Sequence, residues 1–476
     1  MNLLNNVKWV SFSQFIKLCC QFVSVIFLSR LLSPHDIGLM AMALVVVNFA
    51  NIIRDLGSSA AIIQRKEVTE GLKCSLFYLN LLFGLLLFVI IFISAPYIST
   101  YFHSEGLVDV LRWLSLSFPI YSITSINLAL LERQSRFKVI SFIEMSTSVS
   151  SLILAICLAF SGFGVFSLVY QTICYAVLSA ILFTTYSGWL PKIYFSFKEI
   201  KSVFSFTSNL IIFNLINYFS RNLDQIIIGK YFSSQILGVY SLAYRVMLFP
   251  VQNITFVLSR SMFPVLSHYC DDKSKAFDIY LNTIKNIAMI TPVIMFGLSV
   301  VSKDFVFVFL GEKWLGVSSI LIYLAPTAIL QSFISTTGTV FMSQGRTDLL
   351  LKISIFNCIL QCAAFIIGIN YNITTFVILY FFANFIMFFP NLYLAVKVLD
   401  GHFIKVLKCI SRPLLVAALT SISVVIIRNF LPLFNSVGAM SLSFSCLVGC
   451  LIYVILLSYF ERDFCKVVIL KILRKA

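Results

Sequence analysis

The chain has 476 residues, of which 60% are hydrophobic and 11% are charged, and its mean hydropathy is +0.98. A soluble protein carries roughly 25% charged residues, so this composition excludes soluble enzymes and binding domains, whose surfaces face water. It predicts an all-α integral membrane protein, because a helix satisfies its backbone hydrogen bonds within its own segment.

Apolar stretches recur along the whole chain at the length that a membrane span needs, roughly 20 helical residues. Glycines, prolines and charge clusters divide the chain into about fourteen predicted transmembrane helices. In order they cover residues 8–30, 37–62, 74–95, 108–131, 139–160, 164–186, 204–229, 235–260, 280–302, 317–342, 349–369, 373–396, 411–430 and 438–460. No polar stretch between them is long enough to form a soluble domain.

The net charge of +16 is compatible with a nucleic-acid binder, but the positions of the charges argue against one. With the amino terminus placed in the cytoplasm, Lys and Arg concentrate in the loops of one side. These basic loops are residues 65–73, 133–138, 192–201, 273–285, 346–352 and 397–412, followed by the tail 462–475. This positive-inside bias predicts a multi-pass protein with both termini in the cytoplasm, and it explains the charge without nucleic acid.

The sequence resembles itself at a shift of 200 residues, since Arg30–Gly38 aligns with Lys230–Gly238. A weaker match at a shift of 210 pairs Leu111 with Leu321, Leu114 with Leu324, Gln134 with Gln344, and Arg136 with Arg346. Together the two matches place helix 7 over helix 1 and helix 10 over helix 4. A repeat of six spans gives both halves the same orientation. We therefore predict two six-helix bundles related by a pseudo-two-fold axis along the membrane normal.

This repeat defines the predicted domains. Residues 1–200 form an N-lobe of helices 1–6, and residues 201–399 form a C-lobe of helices 7–12. Residues 400–476 lie outside the repeat and form helices 13 and 14 with a basic cytoplasmic tail. Transporters built from such parallel repeats bind substrate between the two halves.

Polar and charged side chains interrupt several spans. They are Gln14, Lys17, Gln21 and Ser24 on helix 1, Arg54 and Asp55 on helix 2, Asn214, Asn217, Arg221 and Asp224 on helix 7, and Arg245 on helix 8. The sets on helices 1 and 7 have the spacing i, i+3, i+7, i+10, which puts each set on one helical face. A charge at the centre of a membrane helix costs about 2.5–3.5 kcal/mol, so we expect these faces to meet protein or a wet cavity.

The excess of cations over acids in this set favours a cavity for an anionic substrate. We predict its contacts to be Lys17, Arg54, Arg221 and Arg245, with the amides Gln14, Gln21, Asn214 and Asn217. Asp55 and Asp224 are predicted as charge partners or as sites for a coupling ion, H⁺ or Na⁺, and Arg221 and Asp224 are spaced to pair on one helix. The alternative is that these groups form interhelical hydrogen bonds, which contribute about 0.6 kcal/mol each.

Segments with a shared pattern point to a known family. They are Ser29–Gly38, Asp55–Gly57, Arg221–Lys230, Leu237–Pro250 and Phe263–Pro264. Together they resemble the polysaccharide-flippase branch, of the Wzx type, of the multidrug/oligosaccharidyl-lipid/polysaccharide (MOP) exporter superfamily. The resemblance covers essentially the whole chain, and Arg221–Pro250 is its most specific part. His35 and Ile37 depart from the branch, which often has an acidic and an aromatic residue there.

The resemblance implies a two-lobed bundle with two added carboxy-terminal helices. It implies alternating access that carries an undecaprenyl-diphosphate-linked oligosaccharide across the bacterial cytoplasmic membrane, for synthesis of a surface polysaccharide. The implied partners are the membrane lipid and the polymerase and glycosyltransferases of the same pathway. No catalytic residue, metal or organic cofactor is expected.

Two other functions are open at this point. A multidrug antiporter of the same superfamily is expected to present acids to cationic drugs, and Lys17 and the extra helix pair argue against it. A membrane polysaccharide polymerase or glycosyltransferase usually needs a sizeable loop or a carboxylate–metal site. The sequence has no GxGxxG, Walker, HExxH or nucleophile-elbow motif, so catalysis is the weaker alternative.

Overall fold

The computed structural model describes residues 3–55, 58, 62–63, 68–197, 199–200, 218–219, 221–269, 271–431 and 437–460. Within these ranges the chain is almost wholly helical and contains no strand, so the predicted all-α class is confirmed. The chain divides into two compact units, Met1–Ser241 and Leu242–Ala476.

Seven labelled helices lie in the first unit, and an eighth begins there. They are α1 (Leu3–Leu31), α2 (Pro34–Asp55), α3 (Glu70–Tyr101), α4 (Leu107–Ser115), α5 (Ser117–Arg133), α6 (Phe137–Phe160), α7 (Phe166–Ser187) and α8 (Ser234–His268). Residues 221–231 are also helical. In this unit α6 packs against α1 and α7, and α5 packs against α3 and α7.

The second unit contains the end of α8 and six further long helices. They are α9 (Lys273–Val300), α10 (Leu315–Ser343), α11 (Thr347–Gly368), α12 (Ile373–Val398), α13 (Phe403–Phe430) and α14 (Ala439–Phe460). A short helix, Ser302–Phe305, and a π-helical turn, Val306–Leu310, connect α9 to α10. α13 packs against α9 and α14, so the two carboxy-terminal helices belong to this unit.

Twelve segments of the described residues are helices long and apolar enough to cross a membrane. Each overlaps one predicted span, and α4 and α5 together make the predicted span 108–131. Of the other two predicted spans, 235–260 lies within α8, and 204–229 lies mostly outside the described residues. The chain is a multi-pass membrane protein, and the total of about fourteen spans stays a prediction.

Local sequence explains where several helices begin and end. The side chains of Thr69, Asp272 and Asn372 each accept a hydrogen bond from a backbone N–H in the first turn of the helix that follows. Such N-caps satisfy donors that have no partner inside the helix. α7 ends at Gly188, whose φ of 65° favours glycine.

The match at a shift of 210 residues is visible in the local structure of both units. Leu111, Leu114, Leu321 and Leu324 are all fully buried. Gln134 and Gln344 are the C-caps of α5 and α10. Arg136 and Arg346 are the N-caps of the helices that follow. The repeated residues therefore occupy equivalent positions in the two helix–turn–helix segments.

Candidate functional site

An ion pair joins α1 to α6 inside the first unit. Lys17 Nζ lies 2.5 Å from Glu144 Oε2, and the two side chains are 29% and 26% exposed. Lys17 is one of the predicted cations, whereas Glu144 is not among the predicted site residues. The sequence did contain a signal for this residue. Glu144 is the lone acidic residue in α6, and an acidic residue inside an apolar span usually has a specific partner.

Two tyrosines extend this polar group toward a second predicted cation. Tyr175 of α7 lies within electrostatic reach of Glu144, and Tyr121 of α5 lies within electrostatic reach of Tyr175. The guanidinium carbon of Arg54, on α2, is 5.3 Å from the centroid of the Tyr121 ring, which is a cation–π distance. Lys17, Glu144, Tyr175, Tyr121 and Arg54, on five helices of one unit, thus form a chain of neighbouring side chains, which we call the polar cluster.

The predicted amides of helix 1 lie on an uncovered face of α1. Gln14 and Gln21 are exposed, and Ser24 is half-buried. Phe12 and Phe15, on another face of the same helix, are 52% and 61% exposed. Because α1 is exposed on more than one side, it is the ion pair of Lys17, rather than exposure, that distinguishes the predicted functional face.

The structure separates two residues that were predicted to pair. Asp224 is buried, and Tyr240 Oη donates a hydrogen bond to Asp224 Oδ2 at 2.7 Å. Arg221 is exposed, and it forms no ion pair with Asp224 although both side chains are described. The carboxylate turns toward α8, where a hydroxyl donor is available, while the longer Arg221 side chain extends outward. Asp224 is therefore not the charge partner of Arg221 in this structure.

Four predicted site residues remain. Arg245 lies on α8 and is half-buried. Asp55 is the last residue of α2, and its side chain lies outside the described residues, as do Asn214 and Asn217. The assignment of these four residues to a binding or coupling site stays a prediction.

The first turns of α2 and α8 meet at a pair of glycines, both in the first unit. A Cβ atom on Gly38 would lie 1.7 Å from the Ser234 carbonyl oxygen, and a Cβ atom on Gly238 would lie 1.9 Å from the Pro34 carbonyl oxygen. These four positions are equivalent at the shift of 200 residues. Only glycine permits such an approach between two helix backbones.

The residues before these two helices are also equivalent. Ser33 and Asp36 cap the start of α2, since Ser33 Oγ accepts from the Asp36 backbone N–H, and Asp36 Oδ2 accepts from the Ser33 backbone N–H. Ser233 Oγ accepts from the backbone N–H of Ile236 at the start of α8. The repeated sequence therefore produces the same helix start twice and places the two glycines against each other.

Comparison with known proteins identifies the family. The model of a family described as polysaccharide biosynthesis protein matches residues 27–319. The teichuronic acid biosynthesis protein TuaB of Bacillus subtilis (strain 168) is 29% identical over 357 residues, which are 73% of this chain and 72% of TuaB. The lipopolysaccharide biosynthesis protein WzxC of Escherichia coli (strain K12) is 25% identical over 367 residues, which are 77% of this chain and 75% of WzxC.

Solved structures give the fold. The lipid II flippase MurJ in an inward closed conformation has a TM-score of 0.76 at 16% identity and covers 96% of this chain and 99% of its own. An inward-facing multidrug resistance MATE transporter of the MOP superfamily has a TM-score of 0.62 at 16% identity, with coverage of 83% and 98%. The fold is thus that of MOP transporters, and the resemblance to Wzx-type flippases is confirmed. The chain belongs to the polysaccharide biosynthesis protein family.

Proposed function

We propose that this protein flips an undecaprenyl-diphosphate-linked oligosaccharide from the cytoplasmic to the outer leaflet of the bacterial cytoplasmic membrane. The observation that carries the proposal is the polar cluster, which holds Lys17 and Arg54 inside the transmembrane helices of a MOP-type fold. The names of TuaB, of WzxC and of the succinoglycan biosynthesis transport protein ExoT of Rhizobium meliloti (strain 1021) support a surface-polysaccharide pathway.

The proposed mechanism follows from the charges of the substrate. A diphosphate loses its hydration as it enters the protein, and cationic side chains replace the lost water with charge-assisted hydrogen bonds. Lys17, Arg54 and Arg221 are the proposed contacts, with Arg245 as a further one on α8. The polyprenyl tail stays in lipid while the diphosphate and sugars cross by alternating access. The protein breaks no covalent bond of its substrate.

Coupling to an ion is a separate part of the proposal. Asp55 and Asp224 are the proposed sites for H⁺ or Na⁺. The burial of Asp224 and its hydrogen bond from the hydroxyl of Tyr240 support this role, because no basic side chain among the described residues pairs with this carboxylate, and burial without such a partner favours uptake of a proton.

A multidrug antiporter is the second candidate, since MATE transporters share the fold. Cationic drugs require acidic contacts, and the polar cluster presents two cations against one carboxylate. A deletion strain that became sensitive to drugs and kept its surface polysaccharide would favour the antiporter.

The proposed function is tested by deleting the gene and analysing the lipid-linked intermediates. We expect complete oligosaccharide units to accumulate facing the cytoplasm, because synthesis continues while flipping stops. Incomplete units would indicate a glycosyltransferase, and outward-facing complete units would indicate a polymerase.

Replacement of Lys17 or Arg221 tests whether these two predicted cations contact the substrate during transport. We expect Lys17→Ala and Arg221→Ala each to abolish surface polysaccharide without lowering the amount of protein in the membrane, because a charge-assisted hydrogen bond to the substrate contributes about 1.5–3 kcal/mol. Lys275→Ala is the matched control, since this lysine is exposed and pairs with Asp272 at the start of α9. Normal surface polysaccharide in the Lys17 or Arg221 variant would show that the replaced residue is not a contact of the transported substrate.

A further inference from the structure

The ion pair between Lys17 and Glu144 lies within two transmembrane helices and is nevertheless partly exposed. Both side chains keep more than a quarter of their surface exposed. The second unit contains a contrasting pair, in which Asp304 is 0% exposed and Arg428 is 16% exposed. The Lys17–Glu144 pair therefore lies partly at the surface of the helices, whereas the carboxylate of Asp304 is fully buried.

We infer that Glu144 is the resident counter-ion of an anion site at Lys17, and that a phosphate-bearing substrate binds there by displacing the carboxylate. This inference rests on the proposed function. The inference adds Glu144 as a residue that positions and selects the substrate. It also implies that the site has two states. In the empty state Lys17 pairs with Glu144, and in the loaded state Lys17 pairs with phosphate.

The energetic reason for the exchange is the cost of an isolated charge inside a membrane protein. An unpaired lysine at mid-helix costs about 2.5–3.5 kcal/mol, and this would apply to every empty transporter. Glu144 offsets that cost while the site is empty. When the substrate arrives, one anion replaces another, so Lys17 keeps a negative partner throughout.

The neighbours of Glu144 can receive the displaced carboxylate. Tyr175 lies within electrostatic reach of Glu144 and supplies a hydroxyl donor. The cluster then continues through Tyr121 to Arg54. Arg54 is therefore the second cation of the same cluster.

The exchange also provides selectivity for multiply charged groups. A monoanion would replace the single charge of Glu144 with another single charge and would gain little. A diphosphate carries more charge and more acceptor oxygens than a carboxylate, so it gains more from Lys17 than a monoanion does. We therefore expect Glu144 to exclude abundant monoanions from the empty site.

The test measures binding of inorganic pyrophosphate to the full chain purified in detergent. We expect Glu144→Gln to bind pyrophosphate roughly tenfold more tightly than the wild type, the ratio that corresponds to about 1.4 kcal/mol, because no carboxylate competes for Lys17. Glu105→Gln is the matched control for net charge, since Glu105 is exposed and lies outside the spans. It should leave the affinity unchanged.

A double-mutant cycle separates counter-ion exchange from a structural role. In a Lys17→Ala background, Glu144→Gln should produce no further gain in affinity, because the competing pair is already absent. An equal gain in both backgrounds, or no gain in either, would overturn the inference. If Glu144→Gln does not fold, Glu144→Asp keeps the charge and withdraws it by one methylene, and it should still tighten binding by a smaller factor.

The two proposals fail in different ways. If Lys17→Ala weakens pyrophosphate binding and Glu144→Gln leaves it unchanged, counter-ion exchange is wrong and flipping stands. If the deletion strain accumulates no complete lipid-linked units, flipping is wrong whatever the binding data are. Chloride competition gives a further check, since chloride at a given concentration should weaken pyrophosphate binding more in Glu144→Gln than in the wild type.

Discussion

Gly38→Ala is expected to abolish polysaccharide export and to lower the thermal stability of the purified chain. The added Cβ would lie 1.7 Å from the Ser234 carbonyl oxygen, and a backbone oxygen cannot rotate away as a side chain can. The helices α2 and α8 must therefore separate. Overpacking of this kind costs about 1–3 kcal/mol or more. The measurements are Tm in detergent and surface polysaccharide in a complemented deletion strain.

The equivalent glycine of the repeat, Gly238, provides a second variant. Gly238→Ala should have a similar effect, because its Cβ would lie 1.9 Å from the Pro34 carbonyl oxygen. Gly297→Ala is the matched control, since nothing lies within 4 Å of its added Cβ and alanine is the better helix former by about 1 kcal/mol. Wild-type Tm and export in both Gly38→Ala and Gly238→Ala would show that the two helices are not held in this contact.

Hydropathy was enough to predict most of the fold. A membrane helix must be apolar over its whole length, so its boundaries appear directly in the sequence, as they do for α6 and α12. The repeat at a shift of 200 residues also predicted that Gly38 and Gly238 are equivalent. It did not predict that they touch, because equivalence in sequence leaves the distance between two helices open.

The candidate site was harder to predict, because a polar residue in a span indicates that a partner exists without naming it. Lys17 was recognised as a cation that needs a counter-ion, and the structure supplies Glu144 from α6. Asp224 was assigned to Arg221 from their spacing on one helix, and its hydrogen bond comes from Tyr240 instead. Both outcomes depend on how each helix is rotated about its axis, which packing between helices decides.

A buried ion pair in the second unit gives the other large effect. Arg428→Met is expected to destabilise the protein by about 3 kcal/mol or more, since it leaves a buried charge without its partner. Asp304 is fully buried, lies 2.7 Å from Arg428 Nη1, and also accepts a hydrogen bond from the Gly438 backbone N–H at 3.1 Å. These contacts connect α13 and the start of α14 to the short helix Ser302–Phe305. The measurement is Tm in detergent.

Two further variants decide whether the lost charge pairing is the cause. Asp304→Leu combined with Arg428→Met should recover much of the stability, because a buried ion pair replaced by apolar groups of similar volume is often neutral or stabilising. Arg346→Met is the matched control, since Arg346 and Asp348 are about half exposed, and surface ion pairs contribute about 0–1 kcal/mol. An equal loss of stability in Arg346→Met and Arg428→Met would contradict the prediction, because burial would then make no difference to the cost of removing the arginine.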